Sequence, residues 1–158
     1  MDPDDIHRHL PEFKWSIEQF PQQAGEWTRK EAGYIAKLLT QIELEQGKNV
    51  LVDGSLRDAA WYRTYFRQLK QSYSRLQIGI LHITAPRSLV FLRAHERSKS
   101  TGRVVPHQTL EDALEQVPKS VNILRQSVDF FAELHNSHQL ELMTGTWESF
   151  KRIWSQNC

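Results

Sequence analysis

Asn49–Arg57, NVLVDGSLR, decides how this chain is read. The apolar run Val50-Leu51-Val52 stops abruptly at Asp53, Gly54 and Ser55, with Arg57 two residues further on. A buried parallel strand ends in this way when it delivers polar groups to a ligand crevice. The stretch therefore predicts a strand over Asn49 to Asp53, with Asp53, Ser55 and Arg57 at its carboxyl end. A turn alone would explain Asp53-Gly54-Ser55, but a turn has no need of Arg57.

The flanks fit an alternation of helices and strands. Upstream, Trp27, Tyr34, Ile35, Leu38, Leu39 and Ile42 recur at helical spacing, and Gly47 is a suitable stop, which predicts a helix over Trp27 to Gln46. Downstream, Asp58 is the expected N-cap of a helix reaching about Ser74. A second apolar run, Gln77 to Thr84, ends at Ala85-Pro86 and predicts another strand. Strand, helix, strand in this order implies a right-handed parallel crossover. Ser88 opens a third helix running to Ser100, and Thr109 to about Ser127 is a fourth, with Thr109 and Asp112 as a capping box and Pro118 as a kink. Val128 to Leu134 and Leu140 to Met143 are candidate short strands, and Thr146 to Trp154 a last amphipathic helix. Near the start, Asp4 or Asp5 is placed to cap a helical turn at Ile6 to Leu10.

A length of 158 residues is about that of one domain able to bury roughly two-thirds of its unfolded surface. With 39% apolar and 25% charged residues and a formal net charge of +1, neither disorder nor a nucleic-acid partner is implied. The single cysteine, Cys158, rules out an intrachain disulfide within this sequence. No run has the length of a membrane span and no signal-peptide pattern stands at the start, so the expectation is a cytoplasmic protein with no membrane partner. No repeat or linker suggests a domain boundary.

A basic cluster, Arg93, Arg97, Lys99 and Arg103, lies beyond the second strand. Arginine's planar fork suits phosphate oxygens, and Gly102 before Arg103 allows close backbone approach to a ligand. Arg97 and Lys99 read as solvated helix charges, whereas Arg103 sits in a loop and is the stronger candidate. The pairs His7-x-His9 and His135-x-x-His138 lack a completing cysteine or carboxylate cluster and read as ordinary histidines, so no metal site is assigned.

Three blocks in order, DPDDIHRHLPEF, NVLVDGSLRD and an arginine-bearing helix leading into TGRVVP, together resemble the zeta toxin family of P-loop small-molecule kinases over residues 1 to about 136. The resemblance implies an α/β fold, a three-layer parallel sheet with helices on both faces. It implies ATP-dependent phosphorylation of a hydroxyl on a sugar nucleotide or similar small molecule, with Mg2+. By the same resemblance Asp4 is the general base, Asp53, Ser55 and Arg57 face the acceptor, and Arg93 and Arg103 hold the γ-phosphate of ATP.

One departure from the family pattern is large. The family begins with a strand, a GxxxxGK[ST] loop and a helix, and this sequence contains no such motif. ATP and Mg2+ are thus implied by the resemblance and not by a phosphate loop. Without the central first strand, neighbouring strands would expose ladders of backbone groups at about 1–3 kcal/mol each if buried unsatisfied, against a total stability of about 5–15 kcal/mol. The expectation is one truncated kinase-like domain over residues 1–158, a fragment that is inactive alone. The alternative is a degenerate, non-catalytic fold that binds a phosphorylated ligand or a protein partner. An unrelated α/β domain with structural charge clusters is the third reading.

Overall fold

The computed structural model describes residues 1–27 and 29–155, and Cys158 lies outside the described residues. The chain divides into two compact units, Met1–Gly54 with Val90–Leu110 and Ser55–Leu89 with Glu111–Gln156, apart from the terminal residues.

The first unit is helical. Helix α1 (Pro3–His9) is capped by Asp2, whose carboxylate accepts from the Asp4 amide at 2.8 Å, so Asp2 takes the role expected of Asp4 or Asp5. Pro3 and Pro11 stand at the first helical positions of α1 and α2 (Pro11–Gln19), where a missing N–H costs nothing. A short α3 (Ala24–Trp27) precedes α4 (Arg29–Glu45). The α4 period is as read, but the buried face is not the one expected. Ala32, Ala36 and Thr40 are buried, while Tyr34, Leu38, Leu39 and Ile42 are exposed. Small side chains at four-residue spacing let another helix approach closely, and α1 is the helix that packs on α4.

The predicted strand at Asn49 to Asp53 is not formed. The segment has no regular structure, and Leu51 and Val52 are 65% and 46% exposed. Its ladder is reduced to one residue: the Met1 ammonium donates to the Leu51 carbonyl, and the Asp53 amide donates to the Met1 carbonyl at 2.8 Å. This is the bonding of a single parallel bridge, which no neighbouring pair extends among the described residues. An apolar run alone does not make a strand, because the ladder hydrogen bonds of a strand all come from neighbouring strands.

The second unit holds the sheet. Strands β1 (Gly79–Thr84), β2 (Phe130–Asn136) and β3 (Leu140–Thr144) are ordered β1-β2-β3, with β1 parallel to β2 from Gly79↔Phe130 to Thr84↔His135 and β2 antiparallel to β3. The sheet is therefore small and mixed, in place of the all-parallel sheet expected, and the parallel pair is β1 with β2. Alternate residues Phe130, Ala132 and Leu134 of β2 and Ile80 and His82 of β1 are buried. Helix α5 (Ala59–Ser72) begins at Asp58, whose carboxylate accepts from the Trp61 amide at 2.9 Å as its position predicts. Phe66 of α5, Ile80 of β1 and Leu124 of α7 form the core, and Leu56, Tyr62 and Phe131 pack against it.

Helix α6 (Arg87–Thr101) starts after Pro86 and α7 (His107–Leu124) after Pro106, each slightly before the expected position. Thr109 thus lies inside α7 and does not cap it. Pro118 is accommodated within α7, and a 3₁₀ turn at Arg125–Ser127 follows. The last helix, α8 (Trp147–Ser155), presents Phe150 to Phe130 of β2 at 5.7 Å.

Asp129 ties the start of the sheet together. Its carboxylate accepts from the Ile78 amide at 2.8 Å and from Lys70 Nζ at 2.9 Å, while its own amide donates to the Ile78 carbonyl at 2.8 Å. Partial burial pushes the Asp129 carboxyl up, but the Ile78 amide and the Lys70 ammonium outweigh it and hold the group below its ordinary value. Asp129→Ala is expected to lower stability by about 1–2 kcal/mol, measured from the urea midpoint. Because the folded-state pKa is depressed, this contribution is present above the ordinary carboxylate range and is lost as pH falls through the lowered value. The difference between wild type and variant should therefore shrink in acid.

Candidate functional site

The candidate site lies in the first unit, at the first turn of α1. The Asp2 cap fixes the start of α1, and with it the direction of Asp4. The other wall comes from the end of α6. There the Thr101 hydroxyl donates to the Arg97 carbonyl at 2.8 Å, and the Gly102 amide donates to the Ser98 carbonyl at 2.9 Å. Gly102 then turns the chain at φ +72° with its α-carbon facing Ile17, where a Cβ would come within 2.7 Å of Cγ2. Any other residue would meet both the left-handed backbone and that contact. Arg103 is delivered by this turn, its amide donating to Thr101 Oγ1 at 3.3 Å.

The two walls meet in an ion pair. Arg103 Nη1 donates to Asp4 Oδ1 at 2.6 Å, across 99 residues of sequence. Arg97 Nη1 stands 3.9 Å from Asp4 Oδ2, so each carboxylate oxygen faces a guanidinium. The side chains are 41% exposed for Asp4 and 26% for Arg103, so the cluster is open to a ligand from solvent. Arg93 lies one helical turn before Arg97 on α6 and is exposed.

His7, three residues beyond Asp4 on α1, is buried beneath the cluster at 2% exposure, its ring 5.2 Å from that of Phe13. Burial lowers its pKa and the Arg103 charge lowers it further, with Asp4 and Asp2 pulling weakly the other way. A neutral imidazole is thus packed under an arginine that sits on a carboxylate.

Of the residues singled out from sequence, Asp4 and Arg103 are in direct contact. Asp53 is tied to the same region through its backbone, since its amide bonds the Met1 carbonyl three residues before Asp4, and its side chain is exposed. Ser55 and Arg57 belong to the second unit. There Ser55 is exposed and Arg57 half-buried, flanking Leu56, which takes φ +52° and whose carbonyl accepts from the Ser120 hydroxyl at 2.5 Å. From the sequence, Arg97 reads as a solvated helix charge and His7 as an ordinary histidine. The available signal for Arg97 was its four-residue spacing from Arg93, which puts both on one stripe of α6. His7 gave none, because its burial depends on Phe13.

The donor set suits an anion. Guanidinium groups match phosphate oxygens in geometry and charge. It does not suit a magnesium ion: the one carboxylate at the centre of the cluster is already faced by two cations, and among the described residues no group of three His, Cys, Asp or Glu could hold a metal.

The family model described as zeta toxin matches residues 1–135, a span that includes α1, the Asn49–Asp53 segment and the α6 end. A search among curated proteins gave no match, and neither did one among solved structures.

Two outcomes check this geometry. His7 has a lowered folded-state pKa, so its contribution to stability is full above the ordinary histidine value of 6.5 and is lost as pH falls below it. His7→Gln should flatten that part of the stability–pH curve, measured by denaturant midpoints across the interval. Gly102→Ala should cost about 1–2 kcal/mol through the positive φ and the Ile17 contact, and thermal unfolding measures it.

Proposed function

The chain belongs to the zeta toxin family of kinase-like phosphotransferases, and from that premise we propose that its first unit carries the base and the phosphate-binding arginines of a phosphoryl-transfer site. The observation that carries the reading is the 2.6 Å contact between Asp4 and Arg103, the residues that the family pattern assigns to the base and to the γ-phosphate. Phosphoryl transfer is catalysed mainly by positioning and by neutralising charge on the equatorial oxygens. Both tasks suit a guanidinium and a carboxylate held side by side.

In this reading the pair is the resting form. A γ-phosphate arriving from ATP competes with Asp4 for Arg103, and its extra negative charge makes it the better partner. Arg103, with Arg93 and Arg97 on α6, then neutralises the transferring group. In the family's reaction Asp4, released from Arg103, would accept the proton of the acceptor hydroxyl as that oxygen attacks the γ-phosphorus, while the bond from that phosphorus to the bridging oxygen breaks and ADP leaves with its electron pair. Asp53 stands on the acceptor side, and the acceptor class, a sugar nucleotide or related small molecule, follows from the family. By the family resemblance alone, Ser55 and Arg57 are also proposed to face the acceptor. Family members use ATP with Mg2+. Because the cluster does not suit a magnesium ion and the sequence has no GxxxxGK[ST] loop, the chain alone is proposed to bind phosphate without turnover.

A second reading has its own support. Both oxygens of Asp4 face guanidinium groups, which equally suits a non-catalytic module that binds a phosphorylated ligand and releases it as Asp4 returns.

With purified chain, ATP, Mg2+ and a panel of sugar nucleotides, no phosphorylated product is expected by mass spectrometry. Turnover that disappears in Asp4→Asn would show that the chain is competent and overturn that part of the proposal. ATP binding by calorimetry tests the rest: Arg103→Ala should weaken it by about tenfold and Asp4→Asn should strengthen it by removing the competing carboxylate. Equal affinity in all three proteins would sink the assignment of Arg103.

A further inference from the structure

The second unit carries a basic pocket that the phosphotransfer reading does not use. It is an open groove of about 340 Å³ lined by Arg63, Phe66, Arg67, Lys70, Gln71 and Ser127. Arg63, Arg67 and Gln71 follow one another at four-residue intervals along α5, so their side chains form one stripe. Phe66 is a buried floor, and Ser127 brings a hydroxyl from the 3₁₀ turn, a different element.

The charges in this pocket are unequal in status. Lys70 is already neutralised by Asp129 at 2.9 Å. Arg63 and Arg67 form no ion pair among the described residues. Two like charges at i and i+4 repel each other, and four residues of helix separate them by only about 6 Å along the axis. Such a pair is relieved by an anion that bridges it. A phosphomonoester carries about −1.5 to −2 at neutral pH, which matches the two uncompensated guanidiniums. The pocket volume is at the small end of the roughly 300–1,000 Å³ typical of ligand sites, which favours a small molecule over a polyanionic chain.

We infer that this pocket binds a phosphate-bearing small molecule, with the forks of Arg63 and Arg67 on the phosphate oxygens and Gln71 and Ser127 completing the hydrogen bonds. Phe66 offers an apolar surface to the body of the ligand. The site shares no residue with the Asp4 cluster, and it stands or falls independently of the phosphotransfer reading.

The test follows individual side chains of the full chain by nitrogen-15 NMR while pyrophosphate is added at constant ionic strength. The Arg63 and Arg67 Nε–H signals and the Gln71 side-chain amide should shift and saturate together. Read at Gln71, Arg63→Gln/Arg67→Gln should bind about tenfold more weakly, and Arg63→Lys/Arg67→Lys should lose less because the charge is kept but the fork is not. Shifts that sodium chloride reproduces, that never saturate, or that persist unchanged at Gln71 in the glutamine double variant would overturn the inference. If the glutamine variant fails to fold, the wild-type titration against its sodium chloride control still decides.

Discussion

A carboxylate in the first turn of a short helix and a guanidinium 99 residues later meet at 2.6 Å, and the phosphate site proposed for the first unit depends on that contact. Both partners are partly exposed. An ion pair in such a setting contributes about 0–1 kcal/mol at most, so stability does not account for the effort spent in building it. That effort is visible in the surroundings. Asp2 caps α1 and so orients Asp4. Thr101 and Gly102 close the end of α6 and so present Arg103, and Ile17 leaves room at Gly102 for a hydrogen and nothing larger. Beneath them His7 stays neutral because it is buried, and a charged imidazole there would repel Arg103.

The second unit solves a different problem, holding a sheet of three strands with one short stretch of parallel pairing. Parallel strands far apart in sequence need something to set their register. Asp129 does this at the entry to both strands, since its backbone and its side chain bond Ile78 while its carboxylate also holds Lys70 of α5. The opposite end is joined by Thr84, whose hydroxyl donates to the Leu134 carbonyl at 3.2 Å. Lys70 is thereby committed to structure, and that leaves Arg63 and Arg67, on the same helix, as the uncompensated charges.

What could be read from the sequence was mostly what is local. The helices were legible because periodicity and capping are properties of neighbouring residues. Asp58 caps α5 as expected, and the errors at α6 and α7 are one or two residues at a proline. Strand β1 was legible from its apolar run, but the equally apolar Val50-Leu51-Val52 was not told apart from it. The difference lies in partners: among the described residues, β1 has Phe130 to His135 beside it, and the earlier run has the single residue Met1. The α4 face was misjudged for a related reason, since large side chains mark a helix's apolar stripe but small ones mark where another helix comes closest. In the candidate site, Asp4 and Arg103, both singled out in motif-like settings, stand in contact. Arg97 looked like any solvated helix arginine until Asp4 was seen 3.9 Å away. The antiparallel pairing of β3 was likewise invisible, because direction is fixed by the chain's path between strands and not by the composition of either.

The measurement that bears most directly on the role of Asp4 and Arg103 is a crystal structure of the chain with a non-hydrolysable ATP analogue. The account predicts that the γ-phosphate lies within hydrogen-bond distance of the Arg103 guanidinium and that Asp4 Oδ1 has separated from Arg103 Nη1. An analogue bound with its γ-phosphate away from Arg103, and with the 2.6 Å contact intact, would contradict it.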